Sequence, residues 1–210
     1  MITPRRPRLI AVRHGDTSLN QQKRMRGTMD IPLDEDGYFQ AEHLGQLLYS
    51  IPIDVIFTSP LQRAKQTAYA IREYQYEYTG EEAKIYKELK PWTLGELNGK
   101  KAREAETKLI WLMEHPDEYP PLSNETFNKF LQRSVGCWRN LLDATYIGSR
   151  TICAVTHLRN VEVLNGWFKA GLGDKIDTTP IKDNIDVVTT GGIYILEYIS
   201  GKWELTMGGQ

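Results

Sequence analysis

Four short apolar runs, each followed by a segment with helical spacing or by turn residues, limit this chain to few architectures. The runs are residues 8–12, 53–59, 83–89 and 150–156, and a closing hairpin is predicted over residues 192–206. Strands that alternate with helices are typical of an α/β fold. The sequence therefore predicts a mostly parallel central sheet flanked by helices.

The domain organisation follows from length and from one irregular stretch. A chain of 210 residues is of the size of one domain. Residues 92–148 hold two helical patterns with no clear strand between them, and Asn124 is predicted to cap the second. We expect a single domain over residues 1–210, in which residues 92–148 form a helical elaboration beside the sheet and over the active site.

Composition excludes several classes of protein. The net charge is −1, which argues against a dedicated nucleic-acid binder with a basic face. No stretch approaches the roughly 18 apolar residues that a membrane span needs. Cys137 and Cys153 fit no metal or disulfide spacing and are interpreted as buried thiols in a reducing compartment. We expect a cytoplasmic monomer or homodimer without a metal or cofactor.

Polar side chains stand at the ends of three predicted strands. Arg13, His14 and Gly15 follow the first, and His157 follows the fourth. Arg63 lies in the turn after the second, where Ser59 is interpreted as the N-cap of a helix and Pro60 as its first residue. In open α/β sheets, ligands bind beyond the carboxyl ends of the strands. The fold is therefore expected to bring two imidazoles and two guanidiniums together, with no cysteine, carboxylate pair or glycine-rich phosphate loop among them.

This set of side chains fits phosphoryl transfer. Arg13 and Arg63 would clamp a phosphoryl dianion, because guanidinium groups bind such oxygens in a bidentate way. A neutral imidazole of His14 would attack phosphorus, and a protonated His157 would neutralise charge in the transition state. The clustered cations would keep a proton off the attacking imidazole. Gly15 would allow the backbone to approach the phosphoryl group.

The wider motifs resemble the histidine phosphatase superfamily, which includes the phosphoglycerate-mutase-like phosphatases. "RHGDTSLN" from residue 13 is close to the family's R-H-G-E-T-x-x-N, and "TSPLQRAKQTA", "NETFNKFLQR" and "VTH" match later motifs. The resemblance implies that His14 is the phosphorylated nucleophile and that Arg13, Arg63 and His157 form the phosphate pocket. It also implies Asn20 as a supporting contact and a phosphorylated small molecule or phosphoprotein as substrate.

The resemblance fails at the proton donor. The family usually has a glutamate in a pattern like L-x-E-x-x-x-G-x-W-E-G, whereas "LKPWTLGELNG" places Pro91 at that position. Glu96, Glu125 or Glu88 could take over this role, or there is no strong acid. Because a general acid matters most for basic leaving groups, the last case predicts a preference for anhydride-like or aryl-like phosphoesters or for phosphohistidine.

The remaining candidates concern substrate binding and rival functions. Arg26 lies in a motif loop near His14 and could extend the positive pocket towards a second phosphate, together with "GKKAR" from residue 99. Trp92 follows Pro91 and could wall the substrate site. We expect a metal-independent phosphatase. The rivals are a phosphoglycerate-type mutase and a catalytically weak module that binds a phosphorylated ligand.

Overall fold

The computed structural model describes residues 5–75, 82–173 and 190–208, which form six strands, six α-helices and two 3₁₀ turns. The strands are β1 (Arg8–Arg13), β2 (Val55–Thr58), β3 (Lys84–Ile85), β4 (Thr151–Thr156), β5 (Ile193–Ile199) and β6 (Lys202–Gly208). The helices are α1 (Ser18–Gln21), α2 (Glu35–Leu48), α3 (Gln62–Glu73), α4 (Ala102–Glu114), α5 (Phe127–Gly148) and α6 (Leu158–Lys169), and the 3₁₀ turns are Lys87–Leu89 and Gly95–Leu97.

The strands form one sheet in the order β3-β2-β4-β1-β5-β6. The first four strands in this order are mutually parallel, β5 runs antiparallel to β1, and β6 runs antiparallel to β5. Arg13 pairs with Thr156, and Thr58 pairs with Val155, so β1, β4 and β2 end at the same edge. The expected α/β fold with a mostly parallel sheet is confirmed.

Helices cover both faces of the sheet, so the central strands are buried on both sides. In β1, Leu9 and Ala11 pack into the cluster with α4, α5 and α6, whereas Ile10 and Val12 pack against α2 and α3. This alternation explains why the strand reads as an unbroken apolar run. The same packing fixes the strand's end, and so the direction in which residues 13–15 leave the sheet.

Three local predictions differ from the structure. The third strand has only two residues and gives way to a 3₁₀ turn. Ser59 does not cap α3; instead the Asp30 carboxylate accepts a hydrogen bond from the Gln62 N–H at 2.6 Å. Thr126, not Asn124, caps α5, because its hydroxyl accepts from the Lys129 N–H at 3.2 Å.

The segment 92–148 is only partly an elaboration. Most of the buried face of α5 belongs to the cluster on the sheet, so this helix is part of the layer that covers β1 and β4. α4 stands beside the edge where the parallel strands end and lines the cavity described below. No described helix is long and apolar enough to cross a membrane. The single-domain boundary stays a prediction.

Candidate active site

The three strand ends bring two histidines and an arginine into contact. The rings of His14 and His157 lie 5.1 Å apart at an angle of 63°. The Nε–H of Arg63 donates to Nε2 of His14 at 3.1 Å. His14 and Arg63 are 1% exposed and His157 is 4% exposed. We call these three residues the floor of the site.

Hydrogen bonds set the tautomer of His14. Nδ1 lies 2.6 Å from the carbonyl oxygen of Gly15, which can only accept, so Nδ1 carries the proton. Nε2 receives the hydrogen bond from Arg63 and therefore carries the lone pair. The nitrogen on the arginine side is thus the one able to attack an electrophile.

The Arg63 side chain is held in one orientation by backbone carbonyls. Its Nη1 donates to Met29 at 2.6 Å and its Nη2 to Gly27 at 2.9 Å. Gly27 has φ +43, and a Cβ there would come within 1.9 Å of the Asn98 side-chain oxygen. Only glycine suits this turn, which places the loop's carbonyls over the guanidinium.

Ser59 positions His157, a role that the sequence did not reveal. Nε2 of His157 lies 2.7 Å from the Ser59 hydroxyl. Nδ1 of His157 is buried and has no hydrogen-bond partner among the described residues. Because the hydroxyl can donate to Nε2, the ring can keep its proton on Nδ1 and offer it to a bound oxygen. The S-P pair was interpreted as a helix cap, which concealed this contact.

Burial and neighbouring cations keep both imidazoles neutral. Burial is the largest cause of the lowered pKa of His14, followed by the charges of Arg63, Arg13 and Arg26. Burial and Arg63 likewise lower the pKa of His157 well below its usual value. The expected neutral nucleophile agrees with this electrostatic environment. The expected protonated His157 does not, since the cations around it oppose a further positive charge.

A cavity of about 430 Å³ opens above the floor. This volume is in the range of small-molecule sites. Trp92 forms part of its wall, as expected, and is fixed by its Nε1–H, which donates to the Glu125 carbonyl at 3.1 Å. Apolar side chains dominate the walls, and cationic side chains add charge; the latter are Lys23, Arg24, Arg26, Arg63, Arg103 and Arg159.

Arg159 and Glu162 form a second feature that sequence reasoning missed. Arg159 lies in the first turn of α6, two residues after His157, and lines the cavity. Its Nη1 donates to a Glu162 carboxylate oxygen at 2.6 Å. Glu162 is buried and also faces the charge of Arg13. Burial raises its pKa, and Arg159 and Arg13 oppose that rise. The i, i+3 spacing of Arg159 and Glu162 was visible but carries little information alone.

Gly15 and Asn20 have structural rather than substrate-binding surroundings. A Cβ on Gly15 would come within 2.4 Å of the Gly37 carbonyl oxygen, so packing against α2 explains the glycine. The Asn20 side-chain oxygen accepts from the Thr17 N–H at 3.1 Å and from its hydroxyl at 2.7 Å. Neither residue lines the cavity, and both shape the loop after His14. Arg13 is buried and also lies outside the cavity lining.

All three candidate proton donors, Glu96, Glu125 and Glu88, lie outside the cavity lining. Glu96 is exposed on the 3₁₀ turn Gly95–Leu97. Glu125 is buried and engaged: its carboxylate pairs with Arg133 at 2.7 Å and accepts from the Thr93 N–H at 3.1 Å. Arg133 in turn holds backbone carbonyls of the segment around Pro91. Glu125 therefore supports the wall and is not free to transfer a proton.

Comparison with known proteins identifies the family. The sequence model of the histidine phosphatase superfamily (branch 1) matches residues 9–208. This chain belongs to that superfamily. In fold it is similar to the mycobacterial glucosyl-3-phosphoglycerate phosphatase complexed with VO3, with a TM-score of 0.76, 23% identity, and 97% and 98% of the two chains covered.

Relatives in sequence include both phosphatases and mutases. The uncharacterized phosphatase PhoE of Bacillus subtilis is 48% identical over 63 residues, which are 30% of this chain and 33% of the relative. The 2,3-bisphosphoglycerate-dependent phosphoglycerate mutase 1 of Arabidopsis thaliana is 45% identical over 60 residues, 29% of this chain and 18% of the relative. This chain thus matches a third or less of the length of these relatives.

Proposed function

We propose that this chain hydrolyses a phosphomonoester of a small molecule through a phosphohistidine at His14. The observation that carries the proposal is the neutral His14 imidazole, whose Nε2 lone pair meets the Arg63 guanidinium above the sheet edge. When a bound phosphoryl group accepts hydrogen bonds from the guanidinium, the bond from Arg63 to Nε2 is released and the freed lone pair can attack phosphorus. The superfamily membership supports the same reaction.

The floor residues have distinct roles in the proposed reaction. Arg63 binds two phosphoryl oxygens and aligns the phosphorus with Nε2 of His14. The Nδ1–H of His157 donates a hydrogen bond to a third phosphoryl oxygen. Ser59 orients the His157 ring through its hydrogen bond at Nε2. A bound dianion would raise the pKa of both imidazoles, since opposite charge favours their protonated forms. Water then attacks the phosphohistidine and releases phosphate.

Hydrolysis is favoured over a mutase reaction by the openness of the cavity. A mutase must protect its phosphoenzyme from water until the second hydroxyl arrives. Here Arg103 and Glu106 line the cavity and are exposed to solvent, so water reaches the walls above the floor. The mutase stays the second candidate because relatives include phosphoglycerate mutases.

Three further properties belong to the same proposal. The arrangement uses imidazoles and guanidiniums for the chemistry, so we expect activity without a metal ion. We also expect the enzyme to act in the cytoplasm, as a monomer or homodimer. The cationic walls favour a small substrate with additional negative charge over a phosphoprotein.

The test is hydrolysis of p-nitrophenyl phosphate in the presence of EDTA by wild type and His14→Ala, with exposed His43→Ala as control. We expect a loss of at least about 10⁴-fold in His14→Ala alone, as for removal of a nucleophile. Acid-labile labelling of His14 by a ³²P-phosphoester would support the intermediate. No turnover by wild type would favour the binding module. Transfer of phosphate between the hydroxyls of a phosphoglycerate without release of free phosphate would favour the mutase.

A further inference from the structure

One face of α4 forms a wall of the cavity. The helix places every third or fourth residue on the same side, and this side faces the cavity. The residues concerned are Ala102, Arg103, Glu106, Leu109, Ile110 and Met113. We call this face the α4 wall. Its register is tied to the loop after α1, because the Arg24 guanidinium donates to the Gly99 carbonyl at 2.7 Å and the Ala102 N–H donates to the Lys23 carbonyl at 2.7 Å.

Among the described residues that line the cavity, Glu106 is the one carboxylate. The other titratable side chains of the lining are cations and the two neutral imidazoles. The carboxylates considered from sequence lie elsewhere: Glu96 is exposed outside the cavity, and Glu125 is paired with Arg133. Glu88 lies on the 3₁₀ turn that precedes Pro91 and is not part of the lining.

The position of Glu106 suits the direction in which a leaving group departs. In an in-line displacement, the leaving oxygen departs from phosphorus on the side away from the nucleophile. His14 is buried at the floor, so this oxygen moves towards the solvent side of the cavity. Glu106 lines the cavity and is exposed, and therefore lies on that side.

We propose that Glu106 is the general acid and base of the phosphatase reaction. The inference rests on the function proposed above. Nε2 of His14 forms a bond to phosphorus, the bond between phosphorus and the ester oxygen breaks, and the Glu106 carboxyl gives its proton to that oxygen. In the second half, water forms a bond to phosphorus, the bond to Nε2 breaks, and the Glu106 carboxylate accepts a proton from the water.

This assignment changes the expected substrate range. Without a donor, Pro91 would restrict the enzyme to leaving groups that are stable as anions. With Glu106 on the α4 wall, alkyl phosphates with basic leaving groups become substrates. The neighbouring Arg103, one helical turn before Glu106, would bind a further anionic group of such a substrate.

The test compares Glu106→Gln with Glu104→Gln, which changes an exposed glutamate of the same helix that does not line the cavity. The substrates are p-nitrophenyl phosphate and glycerol 2-phosphate. We expect kcat/KM for glycerol 2-phosphate to fall about 10²–10⁴-fold in Glu106→Gln, as for loss of a general acid. The kcat/KM for p-nitrophenyl phosphate, which reports formation of the phosphoenzyme, should change little, since nitrophenolate leaves without a proton. Glu104→Gln should match wild type on both.

A series of aryl phosphates gives a second readout that a structural role would not move. The rate of phosphoenzyme formation should depend more steeply on leaving-group basicity in Glu106→Gln than in wild type. Equal losses of kcat/KM on both substrates, or no loss of kcat/KM on glycerol 2-phosphate, would overturn the assignment. If His14→Ala abolishes turnover and Glu106→Gln gives either of these two results, the assignment of Glu106 is wrong and the proposed phosphatase function is kept. If His14→Ala turns over substrate as fast as wild type, the proposed phosphohistidine mechanism is itself wrong.

Discussion

The floor of the site and the α4 wall are built in opposite ways. Arg63 on the floor is buried and makes three hydrogen bonds, two of them to backbone carbonyls. Arg103 and Glu106 on the wall are exposed. A buried group held by three hydrogen bonds keeps one geometry and still has two N–H groups to offer a ligand, whereas an exposed side chain can adapt to its ligand. The proposed roles follow this difference: the floor binds the phosphoryl group and attacks phosphorus, whereas the wall contacts the leaving group of the substrate.

The largest expected contrast comes from replacing arginine by lysine in each region. Arg63→Lys keeps the charge but loses the planar fork that contacts His14 and two carbonyls, so kcat/KM should fall about 10²–10³-fold, as for loss of one transition-state donor. Arg103→Lys should cost at most about fivefold, because solvated charge pairs contribute about 0–1 kcal/mol. Steady-state kinetics on p-nitrophenyl phosphate measure both.

Melting curves control for the stability of the Arg63 variant, since a buried side chain is changed. If Arg63→Lys and Arg103→Lys reduced kcat/KM equally at full folding, the distinction between floor and wall would be wrong.

A smaller effect should reveal the support beneath the floor. Ser59→Ala removes the partner of His157 Nε2, and a neutral hydrogen bond is worth about 1 kcal/mol, so kcat should fall about fivefold. Ser134→Ala is the matched control, because its buried hydroxyl on α5 has no partner among the described residues. Equal kcat in Ser59→Ala and Ser134→Ala would refute the positioning role.

The smallest change concerns pH. Arg26 is one of the charges that lower the pKa of His14, so Arg26→Gln should raise that pKa. Activity needs the neutral imidazole and is lost as pH falls through its pKa. The acid limb of kcat/KM should therefore move to higher pH in Arg26→Gln. Arg6→Gln is the control, since that exposed guanidinium precedes β1 and does not line the cavity. An unchanged acid limb in Arg26→Gln would show that the charge of Arg26 does not lower the pKa of His14.

Much of the floor was readable in the sequence because its positions depend on strand order and motif spacing. β1, β2 and β4 are apolar on both faces, and the residues that follow them must leave the sheet at one edge. This is why His14 and His157 could be expected to meet although 143 positions, 157 minus 14, separate them. The family motifs narrowed the chemistry further.

The contacts of individual side chains were not readable in the same way. The sequence placed Gly15 near the phosphoryl group, but the Gly37 carbonyl in the folded chain is what excludes a Cβ there. It offered Glu96 and Glu125 as acids, yet one is exposed outside the cavity and the other is paired with Arg133. Both outcomes depend on partners that are distant in the chain.

By itself, then, the sequence determined the α/β fold, the superfamily and the residues at the strand ends, because hydrophobic period and motif spacing are local properties. The tertiary structure decided which groups share the cavity. Ser59 became the partner of His157 and not a helix cap. Glu106 became the one carboxylate among the described residues of the cavity lining, because α4 packs against the loop after α1 and turns one face towards the cavity.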